Sequence, residues 1–341
     1  MQDVTRTILA FISAAAIVMA IAPFFIPMLR RLKYGQVERE EGPHAHSAKE
    51  GTPSMGGIMF VIGIIAASLA FSKWDIALWF TVPALIMTVG FGLVGFLDDF
   101  IKAKHRRNLG LRAYQKIIAQ LLLSAVVAVF AYKYIGSEIW FATGRVKVDL
   151  GYFYIPLVMF TVIAIVNSVN LTDGLDGLAS GVTLIYSLAM GVIFLYLGRA
   201  FASAFAEAPI MTAEADGMTD MAVFCFAVAG GCLGFLSKNS YPAKVFMGDT
   251  GSMALGGAIS AMVLYSRHFI LFLLMGCCIV ASAVSVVLQV GSFKLRHGKR
   301  IFKMAPLHHH FELKGYPETK VVSGYMIVTA IACLAALMLF M

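Results

Sequence analysis

The sequence predicts an all-α polytopic membrane protein of about ten transmembrane helices, with both termini outside (periplasmic or extracellular) and its chemistry in cytoplasmic loops. Three observations predict it. The 341 residues are 60% apolar and only 13% charged, with a mean hydropathy of +0.82, too little charge for a water-facing surface. Apolar runs near bilayer-crossing length, about 20 residues, recur from end to end. And 20 of the 27 Lys and Arg fall in loops on one side of those runs, which the positive-inside rule places in the cytoplasm. The formal net charge of +8 therefore reflects loop bias and not a nucleic-acid-binding surface.

Ten candidate spans follow in order, 7–29, 54–71, 76–97, 117–135, 153–170, 178–197, 219–237, 251–265, 268–292 and 321–341, within one integral membrane catalytic domain over 1–341. At the first, Ala20-Ile21-Ala22 mimics a signal-peptidase site. Pro23 follows directly and the run ends in Arg30-Arg31, so an uncleaved membrane helix is expected. The eighth is rich in Gly, Ala and Ser, which suits a helix packed closely at the centre of the bundle. All five cysteines lie in apolar runs and read as buried free thiols. Outside, residues 138–150 alternate around Thr143-Gly144 as a short β-hairpin does, and 199–218 reads as a plain connecting loop. The stretch 293–304, apolar residues among basics, predicts an interfacial helix against anionic lipid.

Gly90-Phe91-Gly92-Leu93-Val94-Gly95 spells a dinucleotide fingerprint, but inside a membrane span with no βαβ unit around it, so close helix packing explains it better. Ionisable residues are nearly absent from the spans, the clearest exception being Lys133. A charge at mid-span costs about 2.5–3.5 kcal/mol on insertion scales, and an ion-coupled transporter needs such groups. Their scarcity weighs against transport and directs attention to the cytoplasmic mouths of the helices.

Every aspartate assigned to that face lies in one of three motifs: Asp98 and Asp99 after the third span, Asp173 and Asp176 between the fifth and sixth, and Asp249 before the eighth. In Asn167–Leu178, polar groups recur at every third position (Asn167, Asn170, Asp173, Asp176). That spacing drifts about 60° per step and fans them across one side of a helix. Asp173, Asp176 and Asp249 precede helices, where a carboxylate also serves as a cap. Asp98 and Asp99 end a helix, where two adjacent negative charges oppose the dipole and each other. They need a cation, either a metal or the basics that follow (Lys102, Lys104, Arg106, Arg107). Five carboxylates with neighbouring Asn groups make a hard-oxygen environment suited to Mg²⁺, and a basic loop beside it suits a diphosphate. Three consecutive histidines, His308, His309 and His310, lack the i, i+4 spacing of a helical zinc site. In an extended segment His308 and His310 share a face for phosphate or sugar; a solvated polar loop is the plainer alternative.

Together these stretches resemble the polyprenyl-phosphate N-acetylhexosamine-1-phosphate transferases, and within them the muramoyl-pentapeptide branch. The resemblance runs through Gln36–Gly57, Leu97-Asp98-Asp99, Asn167–Gly177, Asn239–Ser252 and Pro306–Glu312; Tyr316 departs from the Trp of the family pattern. It implies ten helices, outside termini, a bacterial inner-membrane location and a cytoplasmic active site. The implied reaction transfers phospho-MurNAc-pentapeptide from UDP-MurNAc-pentapeptide to undecaprenyl phosphate, giving lipid I and UMP with Mg²⁺; a homodimer is the implied assembly. It implies Asp249 as metal ligand, with Asp98, Asp99 and Asp173 as further candidates, and Asp98 as general base. It places Phe246 on the uracil, Gly174, Leu175 and Asp176 around that pocket, and Asn170, Asp173 and Asn239 beside it. Lys49 and Thr52 join the nucleotide and sugar side, while Lys116 and His308–His310 hold phosphates or sugar. A UDP-GlcNAc transferase is the alternative within the class. A transporter of lipid-linked substrate or a non-catalytic scaffold are the alternatives outside it.

Overall fold

The computed structural model describes residues 2–31, 51–77, 79–105, 110–141, 146–204 and 209–340. Its helices are α1 (Gln2–Arg31), α2 (Gly57–Phe71), the single turn α3 (Trp74–Ala77), α4 (Thr81–His105), α5 (Ala113–Phe130), α6 (Tyr154–Thr172), α7 (Leu178–Ala204), α8 (Pro209–Asn239), α9 (Gly248–Ser266), α10 (Phe269–Met275), α11 (Cys277–Leu295), α12 (Leu307–Glu312) and α13 (Glu318–Phe340). Among the described residues, eight are long and apolar enough to cross a membrane by length and composition: α1, α4, α5 with its π-turn, α6, α7, α8, α11 and α13. Their outward side chains are apolar, with Phe24 and Met338 at 80% exposure and Phe160 at 73%. Such a surface is at home in lipid, not water. The chain is a multi-pass membrane protein.

Nine of the ten expected spans each overlap one helix of the described residues, and three stretches differ instructively. The span at 268–292 is two helices, broken at Gly276 (φ −90°, ψ 17°). The loop expected over 199–218 is helical on both sides of the stretch 205–208, which lies outside the described residues. There α8 brings Asp216 to Lys73 Nζ at 2.5 Å and Asp220 into an ion pair with Arg6 of α1. Asp220 is fully buried and also accepts the Lys73 backbone N–H at 2.9 Å. It is a charged group within the expected span 219–237, besides Lys133, and partners on two other elements make it tolerable. Lastly, no helix covers 296–304. That stretch is stapled to α11, whose Gln289 accepts the N–H of Ile301 and Phe302 and donates to the Phe302 carbonyl.

The expected hairpin is present. β1 (Glu138–Phe141) pairs antiparallel with β2 (Val146–Asp149), and residues 142–145 at its tip lie outside the described residues. The five cysteines are free thiols, four of them buried.

At the centre stands α9, of whose residues only Asp249 escapes full burial. Small residues let neighbouring backbones approach it. A Cβ on Gly95 would overlap the Asp249 carbonyl, and one on Gly257 would come 2.5 Å from the Met87 carbonyl. Gly92 faces Ala254 and Gly90 faces Leu123. The G-x-G-x-x-G string is therefore a packing surface between α4, α9 and α5, and its residues bind helices, not a dinucleotide.

Candidate active site

The site is built where α4, α5, α6 and α9 meet on one side of the bundle. α4 continues to His105, so Asp98, Asp99 and Lys102 sit on its last turns and not beyond its end. Asp98, 3% exposed, accepts the Leu111 N–H at 2.7 Å through Oδ1 and meets Lys102 Nζ at 2.5 Å through Oδ2. Asp99, 7% exposed, turns toward α9. It accepts the N–H of Asp249 at 3.2 Å, the N–H of Thr250 at 2.9 Å and the Thr250 hydroxyl at 2.7 Å.

Asp99 has a capping role that its place near the C-terminus of its own helix does not announce. Asp99 caps a helix other than its own. The N-cap residue of α9, Met247, offers no side-chain bond, so the carboxylate arriving from α4 satisfies the first N–H groups and faces the positive end of the helix dipole.

Asp249 is gripped from three elements. Lys116 of α5 reaches it at 2.9 Å, Lys102 of α4 at 3.0 Å, and Asn170 of α6 at 2.9 Å. Asn170 also bonds Ser252 at 2.8 Å. The positive charge that the adjacent aspartates were expected to need is thus supplied in part by the protein, and Lys102 enters the site as a full member. Its i, i+4 spacing from Asp98 is the signal in sequence that finds it.

The residues fit a hard cation. Ligand oxygens of Asp98, Asp99 and Asp249 lie within 4.8 Å of one another, all donors are oxygen, and the Lys102 ammonium between Asp98 and Asp249 marks the spot as cation-seeking. Five converging carboxylates were expected; three converge, and Asp173 and Asp176 do not belong to that group.

The Asn167–Leu178 stretch does not present one helical face, because α6 ends at Thr172. Asn167 exchanges hydrogen bonds with Gln120 of α5, the shorter at 2.7 Å. Asp173 is the C-cap residue (φ −78°, ψ 60°), and Gly177 takes φ +79° to start α7, the left-handed conformation that glycine adopts without strain. Between them the turn is held from outside. Asp176 accepts the Ala243 N–H at 2.9 Å and donates its own N–H to Glu318 at 2.6 Å. Asn239 accepts the Gly177 N–H at 3.1 Å and donates to the Val245 carbonyl at 3.0 Å. Leu175 is buried in the core. The Asp176 carboxylate therefore holds the loop between α8 and α9, where a cap on α7 was the simpler expectation.

That loop reaches Phe246, half-buried and locked by Pro53, whose carbonyl accepts its N–H at 2.9 Å. Gly56 and Gly57 in turn donate to the carbonyls of Phe246 and Met247. A Cβ on Gly57 would overlap Gly251, so the Gly-Thr-Pro-Ser-Met-Gly-Gly motif lies flat on the start of α9 and carries half-buried Thr52 nearby. Lys49 lies outside the described residues.

The histidines are on the short helix α12 and not in an extended strand, so His308 and His310 do not share a face. His308 is fully buried, His309 Nδ1 pairs with Glu312 at 2.7 Å, and His310 Nδ1 accepts the Lys303 N–H at 3.0 Å. Burial, then Lys314 and Lys303, hold His310 below its ordinary pKa, in keeping with a neutral ring that accepts.

The profile described as Glycosyl transferase family 4 matches residues 81–267, and a Phospho-N-acetylmuramoyl-pentapeptide-transferase signature matches residues 49–61. Curated proteins named phospho-N-acetylmuramoyl-pentapeptide-transferase align over almost the whole chain. The protein of Clostridioides difficile (strain 630) is 48% identical over 335 residues, 97% of both chains. That of Thermoanaerobacter sp. (strain X514) is 45% identical over 327 residues, 96% of both. The chain belongs to the phospho-N-acetylmuramoyl-pentapeptide-transferase family. The family signature overlaps the stretch that seats Phe246 and the start of α9, and the glycosyl transferase match spans Asp98 through Asp249. The family's two sequence marks thus meet at one site in the fold.

Proposed function

We propose that this chain transfers phospho-MurNAc-pentapeptide from UDP-MurNAc-pentapeptide to undecaprenyl phosphate, giving lipid I and UMP in the first membrane step of peptidoglycan synthesis. The observation that carries the reading is the full-length identity to proteins of that name, with the acidic and basic groups of a phosphoryl-transfer site brought together. In this reading ten helices cross the bacterial inner membrane, the termini lie outside, and the site opens to the cytoplasm, as the loop charges require. A homodimer remains the assembly implied by the family.

The residues divide the work. Lys102 and Lys116 bring two positive charges to the place where a diphosphate carries its negative ones. Asn170 and Ser252 orient Asp249, and Asp99 fixes the backbone beneath it. Asp249 with Asp98 would hold Mg²⁺, which supplies charge neutralisation on the diphosphate when bound. Phe246 and the turn from Asp173 to Gly177 form the nucleotide wall, with Asn239 behind it, and Lys49, Thr52 and His308–His310 serve the phosphate and sugar side.

In the reaction an oxygen of the lipid phosphate bonds to the phosphorus carrying MurNAc, and the bond from that phosphorus to the bridging oxygen breaks. UMP leaves with that oxygen. A phosphate monoester has its second pKa near 6, so the nucleophile is already mostly dianionic at pH 7. A general base therefore gains little, and Asp98, which bonds the Leu111 N–H and Lys102, orients Lys102 beside the metal site. Direct attack needs no covalent enzyme intermediate.

Transport of a lipid-linked substrate is disfavoured by the packed centre. Along α9, buried except at Asp249, the Ser260 hydroxyl bonds a carbonyl one turn back within the helix, and Ser252 does the same while accepting from Asn170 at the site. The test is UMP release from UDP-MurNAc-pentapeptide, with and without polyprenyl phosphate, beside a parallel arm with UDP-GlcNAc. Release that depends on lipid and on the muramoyl donor is expected. Phosphosugar transfer from UDP-GlcNAc alone refutes the assignment, and stoichiometric UMP without lipid refutes the one-step route.

A further inference from the structure

Two contacts between distant parts of the chain tie the turn at Asp173–Gly177 to the C-terminal segment. Gly174 lies in the turn of the nucleotide wall, and the place of its missing Cβ is taken by the His308 ring: a Cβ there would overlap Nε2. Two residues further on, the Asp176 N–H is held at 2.6 Å by Glu318, the first residue of α13. The histidine helix α12 and the head of the last membrane helix therefore both land on one short turn, at either side of Leu175.

From this geometry we infer that Glu318 and Gly174 are positioning residues that latch the head of α13 and the His308–His310 helix to the nucleotide wall. Glu318 holds the Asp176 backbone by a charge-assisted bond, and Gly174 is glycine because an imidazole must lie against its backbone. The wall and the histidine helix then act as one unit, and a donor that seats against the turn seats against α12 as well. The turn ends in Gly177 and has no helix of its own to stiffen it. Its shape comes from what grips it, namely Ala243, Asn239, Glu318 and the His308 ring. This inference rests on the reading of Asp173–Gly177 as the nucleotide wall.

Variants Glu318→Ala, Glu318→Gln, Gly174→Ala, His308→Ala and the double Gly174→Ala/His308→Ala test it in the full-length protein in detergent. A hydrogen bond to a charged acceptor is worth enough to change an equilibrium by roughly tenfold or more. Glu318→Ala is therefore expected to raise the KM for UDP-MurNAc-pentapeptide, and the Kd for UMP, about tenfold, while the KM for polyprenyl phosphate stays within about twofold. Glu318→Gln keeps an acceptor oxygen and restores most of the loss. A role confined to stability would not split the two KM values. Equal changes in both, no change in either, or a Gln variant as impaired as Ala overturns the inference for Glu318.

The Gly174 contact has a readout that needs no turnover. Gly174→Ala is expected to lower the thermal midpoint in the wild-type background but not further in His308→Ala, since the ring it collides with is gone. Additive losses overturn the latch whether or not the protein accepts the nucleotide. Failure of wild-type protein to bind UMP, with that coupling intact, overturns the functional reading and leaves the latch standing.

Discussion

Asp99 offers the sharpest separation between a residue that builds the site and one that reacts in it. Its carboxylate receives three hydrogen bonds from the first residues of α9, at 3.2, 2.9 and 2.7 Å, and it is buried. Replacing it by alanine removes all three and leaves two backbone N–H groups at the helix start without this partner. A hydrogen bond to a charged group is worth about 1.5–3 kcal/mol in soluble proteins, and unpaired buried groups cost about 1–3 kcal/mol each. Pairs between membrane helices average only about 0.6 kcal/mol. Counting about 1 kcal/mol for each of the two N–H groups left unpaired and about 0.6 kcal/mol for the lost Thr250 hydroxyl bond, Asp99→Ala should cost about 3 kcal/mol. Asp99→Asn keeps an acceptor for one N–H but points its amide at other donors, and should cost about half of that. The assay is thermal unfolding of the purified protein in detergent, read beside turnover under the same conditions. Stability and turnover should fall together, Ala further than Asn, because the segment that loosens carries Asp249. An Asp99→Ala protein with an unchanged midpoint and no turnover would refute this reasoning and make Asp99 a direct participant with metal or substrate.

Four further outcomes are expected. Asp249→Ala should abolish turnover, and binding of Mg²⁺ or Mn²⁺ measured directly by calorimetry should weaken, with the protein still folded; near-normal turnover refutes the role. Chelation should silence the wild type and Mg²⁺ restore it, while Asp149→Ala on the β1–β2 hairpin serves as a control with unchanged turnover. Gly95→Val should cost about 1–3 kcal/mol or more by overpacking against the Asp249 carbonyl, seen as loss of a monodisperse peak in detergent; a well-behaved variant contradicts the α4–α9 contact. His310, with its folded pKa below the ordinary value, contributes stability above its unfolded pKa of about 6.5 that is lost as pH falls through that range. The protection factor across 303–310, which divides out the base-catalysed intrinsic exchange rate, should fall between about pH 7 and pH 5, and an unchanged protection factor would contradict the acceptor role of Nδ1.

Much of this protein is legible without coordinates, and the physical reason is that lipid imposes simple rules. A membrane helix must satisfy its backbone internally and show apolar side chains outward, so span positions follow from runs of sequence. The run at 251–265 announces a central helix because only small residues permit such close approach, and Gly57, Gly95 and Gly257 are where it happens. The aspartates stand out because charge is scarce. What sequence could not supply is direction. Asp98 and Asp99 are neighbours in the chain, yet one turns to Lys102 and Leu111 and the other to the start of α9; a separation of about 150 residues carries no periodic signal. Asn167 to Gly177 reads as one polar face, but a helix that ends at Thr172 sends Asn167 to α5, Asn170 to Asp249 and Asp176 to Ala243 and Glu318. The three histidines look alike in sequence and have three different neighbours. Sequence by itself determined the class, the positions of the apolar helices and which residues carry charge, because these depend on the local chain and its solvent. Only tertiary structure decided which charges meet, because that depends on where helix ends come to rest against one another.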